Sequence, residues 1–198
     1  MNVEQDTALR AVSLAKWEAN MKTTIIVVAG AIAVIIGGLW SAGFFQKVDF
    51  TVQEIGPMKA VYLEHKGAYS KIVSKIDETA KYLEENKISR LESFGEYFDD
   101  PQKVKTEDLR SNAGFIVEKL PKVKPPLMMK TFAKKSYVTA SFTGHPMIGV
   151  MVVYPKAMKW LGANSYDISG PVIELYNLNG KKITTTYLFE VKKGAPSK

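Results

Sequence analysis

A carboxylate set inside an apolar run is the group in this chain best placed to do chemistry. In PVIELYNLNG (Pro171–Gly180), Glu174 interrupts what reads as a strand closing in a turn. Side chains alternate faces along a strand, so Val172, Glu174 and Tyr176 share one face and Ile173 and Leu175 the other. On an exposed face Glu174 is only a solubilising charge. Sheltered, it is a different object. An ionised carboxylate taken out of water without a partner costs several kcal/mol, and its pKa rises. A bound organic cation supplies the missing counter-charge, and tyrosine faces add about 0.5–2 kcal/mol of cation–π attraction. A tyrosine hydroxyl can hold the carboxylate meanwhile.

Other reactive groups are scarce. The chain has no cysteine, which excludes disulfides, thiol catalysis and cysteine-ligated zinc. Its two histidines, His65 and His145, lie in separate segments and offer no metal site, so neither a metal nor a cofactor is expected. His145 directly before Pro146 fits the start of a helix. There is no His-Asp-Ser or Cys-His arrangement for nucleophilic catalysis. Glu96, flanked on its face by Phe94 and Phe98, is a second acidic–aromatic group and is expected to be exposed. Trp160 and the methionines Met147, Met151 and Met158 read as core packing.

The 198 residues suffice for one sizeable domain plus an anchor. The stretch IIVVAGAIAVIIGGLWSAGFF (Ile25–Phe45) has no charged side chain and is long enough to cross about 30 Å of hydrocarbon as a helix. Trp40, Phe44 and Phe45 near its end suit a membrane interface. Ser41-Ala42-Gly43 offers a signal-cleavage pattern, but the leader (1–22) is long, so an uncleaved anchor at 23–45 is expected. Arg10, Lys16 and Lys22 precede the span and Lys47 and Lys59 follow it, which leaves its orientation open. The leader can form a short helix over Thr7–Ala19. Acidic and basic residues balance before residue 46, so the net charge of +7 falls on the rest. Those lysines are scattered, as on a solvated surface; attraction to anionic headgroups is the sharper reading. No nucleic-acid-binding motif appears, and nucleic acid is not expected as a partner.

Residues 46–194 read as one domain, with 195–198 a frayed tail. The domain looks internally doubled. Its first half has a strand over Lys59–Lys66, Gly67, and a helix with apolar residues at Ile72, Ile76, Ala80 and Leu83 ending near Lys87. FGEYFDD (Phe94–Asp100) and a strand GFIVEKL (Gly114–Leu120) follow. The second half has a strand over Tyr137–Thr143, Gly144, and a helix to Leu161 closed by Gly162. Then come VIELYNL and a strand over Ile183–Lys193. Pro155 must kink the second helix or start its main turn, and VKPP (Val123–Pro126) marks the connector. The expected fold is α+β: a duplicated strand-helix-strand-strand unit, one antiparallel sheet and two helices, preceded by one transmembrane helix. Glu96 and Glu174 follow Gly67 and Gly144 at nearly equal distances, which predicts that they are related by a pseudo-twofold axis.

The doubled unit, KGAYSKI opening the first helix, VIELYNL, and TTYLFEVKK at the end resemble the GyrI-like small-molecule-binding domain, also found as the effector-binding part of AraC-type and multidrug-sensing regulators. YFDDP, RSNAGFIV, YVTASF and VIELY after an N-terminal span resemble, more closely, the membrane-anchored GyrI-like receptors of endoplasmic-reticulum autophagy in animals. Those receptors recruit partners through a long acidic tail without a counterpart here. The anchor-plus-domain layout is therefore carried over and the recruiting activity is not. The resemblance implies a ligand-binding set of Glu174, Tyr187, Tyr69, Phe142 and Tyr176 facing a lipophilic cation. It implies a single-pass membrane protein that binds an amphiphilic or cationic small molecule and is not primarily an enzyme. Two other readings stay open: a tethered adaptor with a protein partner, and a hydrolase with Glu174 as general base.

Overall fold

The computed structural model describes residues 3–180 and 182–194 in two units, 1–45 and 46–198. The expected tail at 195–198 lies outside the described residues.

The first unit is one helix, α1 (Val3–Ser41), that runs through the leader without a break. Its part from Asn20 to Ser41 has a mean hydropathy of 2.3 and no buried residue within the unit. That is the length and composition of a membrane span, and a signal sequence would share them. The helix ends four residues before the apolar run does. Gly43 takes a positive φ of 84°, and the Phe44 N–H bonds back to the Leu39 carbonyl at 3.0 Å. Such a left-handed cap closes a helix whatever the hydropathy that follows.

The second unit runs β1 (Thr51–Ile55), β2 (Met58–Lys66), a 3-10 turn (Tyr69–Lys71), α2 (Ile72–Glu85), β3 (Ser93–Tyr97), β4 (Arg110–Val117), β5 (Met128–Phe132), β6 (Lys135–Thr143), α3 (Pro146–Ala163), β7 (Tyr166–Asn179) and β8 (Lys182–Lys193). All strands join one antiparallel sheet ordered β1-β6-β8-β7-β3-β4-β2-β5. The order is a palindrome of the two halves, with the pseudo-twofold axis between β3 and β7. The expected α+β duplication with two helices on one sheet is therefore present.

Two strands, β1 and β5, add to the expected set, and they close the sheet. β1 lies at one edge and β2 beside the other, yet only Gly56 and Pro57 separate them. Only Ala133 and Lys134 separate β5 from β6. Ile55 pairs with Lys135 and Met58 with Phe132, so one register runs through both links and the sheet curls until its edges meet. Ala60, Tyr62, Phe94, Ile116, Phe132, Tyr137, Ile173 and Leu188 are buried together on the concave face, which carries no helix.

The helices take the convex face. Cross-strand pairing sets Val61, Phe115, Ser93, Tyr176, Thr185 and Phe142 in one row. Val61 and Phe115 pack with Leu83 of α2, and Phe142 with Val153 and Leu161 of α3, so both helices sit on that row's face. Each such buried leucine or valine contributes about 1.5–3 kcal/mol. α2 shows the expected stripe, with Ile72 and Leu83 buried and Ile76 and Ala80 partly so. His145 caps α3: its Nδ1 accepts from the Met147 N–H at 3.3 Å. Pro155 lies within α3 on its exposed side, where the Met151 carbonyl loses its usual donor. Gly162 does not close α3. The helix continues to Ala163, and the left-handed turn falls on Ser165, with φ 55°, while Asn164 Nδ2 bonds the Trp160 carbonyl at 2.8 Å.

The link at Gly56 is the tightest backbone approach of the closure. A Cβ there would stand 2.9 Å from the Ala133 carbonyl oxygen, and the φ of 111° disfavours any side chain. Gly56→Ala is expected to cost about 1–3 kcal/mol, read as a lower denaturation midpoint of the full chain in mild detergent. An unchanged midpoint would mean that the closure contributes little.

Candidate functional site

Between the two helices, the row beside the one above reads Leu63, Ala113, Gly95, Glu174, Tyr187 and Ala140. Glu174 thus stands mid-sheet on the helix-bearing face, with Gly95 and Ala113 beside it and no bulky neighbour on that side. It is 3% exposed. The alternation expected along VIELY holds, since Tyr176 is on the same face.

Two tyrosine hydroxyls hold the carboxylate. Tyr154, from α3, donates to Oε1 at 2.8 Å, and Tyr176 donates to Oε2 at 3.0 Å. Having spent its proton on Glu174, Tyr176 accepts from the Tyr97 hydroxyl at 2.6 Å. Tyr97 folds over Gly95: a Cβ on that glycine would stand 2.8 Å from the Tyr97 oxygen. Behind Tyr97, the Tyr69 ring packs edge-on at 4.8 Å. The Tyr69 hydroxyl takes the Asp99 N–H at 3.0 Å and faces the Asp99 and Arg110 carbonyls at 2.9 and 3.2 Å. An ion pair of Asp99 with Arg110 at 2.8 Å pins that loop.

Tyr187 pairs with Glu174 across β7 and β8 and is fully buried. Its ring meets the Tyr154 ring edge-on at 5.9 Å. Its hydroxyl has no hydrogen-bond partner among the described residues and points at Gly149 of α3, where a Cβ would come within 2.2 Å of it. Gly149 lets α3 settle low enough for Tyr154 to reach the carboxylate.

The electrostatics follow from this enclosure. Burial raises the Glu174 pKa to about 7, against the opposing effect of the Tyr154 and Tyr176 hydrogen bonds. Burial first, and then the charge of Glu174, pushes Tyr154, Tyr176 and Tyr97 well above the ordinary phenol value. All three remain protonated donors at neutral pH. Among the described residues no lysine, arginine or histidine pairs with Glu174. The site is a carboxylate of raised pKa in a tyrosine cage, with no counter-charge among the described residues.

Of the expected set, the structure brings together Glu174, Tyr176 and Tyr187. Tyr69 stands behind Tyr97 and is bonded to backbone. Phe142 is fully buried beneath α3 at Gly149 and packs the helix seat. Tyr97 and Tyr154 were not among the expected residues. Alternation along FGEYFDD already set Tyr97 on the face opposite Glu96; Tyr154 had no signal beyond being an aromatic next to Pro155.

Glu96 departs from expectation twice. It is not exposed but 4% accessible. It is also not the counterpart of Glu174. Both halves carry their helix on the same face, so the axis preserves faces, and the counterpart of Glu174 is its own cross-strand partner Gly95. Glu96 faces the concave side beside Ile173. There it is ion-paired with Lys130 and accepts from Asn112 Nδ2 at 2.6 Å. The Lys130 ammonium lies 4.3 Å from the Phe132 ring centre and 5.3 Å from that of Tyr62. The chain thus fills its second carboxylate–aromatic cage with a cation of its own.

The GyrI-like small molecule binding domain matches residues 49–192, and the chain belongs to that family. No curated protein matches the chain. Among solved structures, the EcmrR–DNA complex, determined by cryo-EM, is similar over 98% of this chain and 78% of that one, with 14% identity and a TM-score of 0.64. The C-terminal domain of EcmrR is similar over 74% and 98%, with 17% identity and a TM-score of 0.62. SAV2435 bound to tetraphenylphosphonium is similar over 73% and 94%, with 12% identity and a TM-score of 0.52. At these identities the likeness concerns the fold.

A raised pKa couples this site to stability. The folded chain binds more protons than the unfolded chain between the ordinary value of 4.5 and about 7. Stability contributed by the neutral acid is complete below pH 4.5, is lost as pH rises through that window, and is level above it. Glu174→Gln removes the dependence. The stability of the variant relative to the parent is expected to rise by about 3 kcal/mol between pH 4.5 and 8, measured by urea denaturation at each pH. A pH-independent difference would mean an ordinary, solvated glutamate.

Proposed function

We propose that the domain binds an organic cation, with Glu174 as its counter-charge and Tyr154, Tyr176, Tyr97 and Tyr187 as its aromatic walls. One observation carries the reading: Glu174 is buried, hydrogen-bonded only by neutral donors, and lacks a positive partner among the described residues. An entering cation restores the charge balance and gains from the tyrosine faces. It must displace Tyr154, the one cage member supplied by a helix. Tyr69 supports Tyr97 from behind, and Phe142 seats α3. The tetraphenylphosphonium held by SAV2435, a neighbour of the same fold, supports a lipophilic cation as the ligand class. The apolar Asn20–Ser41 segment supports a single-pass membrane anchor for the domain, as in the GyrI-like autophagy receptors that the sequence resembles.

A carboxylate with a pKa near 7 also suits a general base, which favours hydrolysis of an electrophilic small molecule as the second reading. Turnover that Glu174→Gln abolishes distinguishes hydrolysis from binding alone.

Protons and cations compete for the ionised carboxylate. Tetraphenylphosphonium binding to the full chain, followed by intrinsic tyrosine fluorescence, is expected to be constant above about pH 8 and to weaken about tenfold per pH unit well below 7. Glu174→Gln is expected to lose the binding. Equal affinity in the variant, or affinity independent of pH, would exclude Glu174 as the counter-charge.

A further inference from the structure

α3 breaks the rule for a helix lying on a sheet. Such a helix keeps a polar face toward water, but the only charged side chains of PMIGVMVVYPKAMKWLGA are Lys156 and Lys159. Its outer surface instead exposes Met147 and Met151, each 63% accessible, with Met158 at 44% and Val150 at 42%. The methionines that the sequence assigned to the core are therefore at the surface. Contiguous exposed apolar surface of this kind marks a binding face.

Its position says what it binds. Residues 147, 150, 151, 154 and 158 are successive neighbours along one stripe of an α-helix. One member is Tyr154, whose hydroxyl donates to Glu174 at 2.8 Å. The apolar stripe thus leads directly to the side chain that covers the buried carboxylate. The opposite side of α3 is taken: Lys156 bonds the Gln46 carbonyl at 3.1 Å, and Trp160 packs against Phe50. From Tyr154 to Met147 the stripe is about 10 Å long at 1.5 Å per residue. Methionine, flexible and polarisable, adapts to an alkyl chain without a fixed shape.

We infer that the ligand is a long-chain cationic amphiphile whose alkyl chain lies along Met147, Val150 and Met151 while its head meets Glu174 under Tyr154. This rests on Glu174 being the cation site. It goes further by assigning a separate tail subsite and by favouring a long single chain over a compact cation.

The test uses the full chain in phosphatidylcholine vesicles and two probes with the same head. One is a dodecyltrimethylammonium with a diazirine at the chain end; the other is benzyltrimethylammonium, which has no chain. After photolysis, peptide mapping is expected to place the label on Met147–Met151, with competition by unlabelled dodecyltrimethylammonium. The exposed double variant Met147→Ser/Met151→Ser is expected to weaken the long probe at least tenfold and to leave benzyltrimethylammonium within twofold. Label confined to Asn20–Ser41, or equal effects on both probes, overturns the tail subsite while leaving the cation site intact. A double variant that reduces vesicle or self-association but leaves labelling unchanged makes the stripe a membrane or protein contact and also overturns it. Loss of neither probe in Glu174→Gln overturns the cation site, and the tail subsite with it.

Discussion

Keeping a carboxylate out of water in the absence of a cation is the constraint on which the rest of this structure depends. A pKa raised from 4.5 to about 7 corresponds to about 3 kcal/mol of lost stabilisation of the charged form. That is a large fraction of the margin by which a domain is stable. The penalty would be larger without the hydroxyls of Tyr154 and Tyr176, each a hydrogen bond to a charged group. These donors compensate in part and leave the charge unneutralised. A site that ended with a lysine would be closed, as the opposite face shows: Glu96, with Lys130 and Asn112, is satisfied from within the chain. The two faces solve the same physical problem, one permanently and one provisionally.

The fold positions the provisional site through small residues. Gly95 makes room for Tyr97 to fold over β3 and reach Tyr176, and Gly149 lets α3 descend until Tyr154 touches Glu174. The duplication puts α2 and α3 on one face of the closed sheet, α2 over the first half and α3 over the second. The two halves have diverged where it matters, since one has glutamate where the other has glycine. The single carboxylate on the axis breaks the symmetry of the doubled unit.

Much of this was legible in the sequence because it is local. The period of Ile72, Ile76, Ala80 and Leu83, the alternation along VIELY and the proline after His145 each act over a few residues, and each gave the right element. The edge strands β1 and β5 did not show because TVQEI and MMKTF are mostly exposed and lack alternation; their partners are distant in the chain. Near-equal spacing suggested that Glu96 matches Glu174, but a shift of one residue in a strand reverses its face, and register rather than spacing decides. The exposed methionines of α3 were misplaced for a related reason: an all-apolar helix reads as buried unless something else covers its outer face.

The pKa of Glu174 itself bears most directly on a sheltered, unpaired charge. A carboxyl ¹³C titration of the ligand-free full chain, with the Glu174 resonance assigned through Glu174→Gln, is expected to give a midpoint near 7. It is expected to fall below that value when a saturating organic cation is present. A midpoint near 4.5 that no cation moves would show a carboxylate already at home in water or paired within the chain, and would contradict the binding site described above.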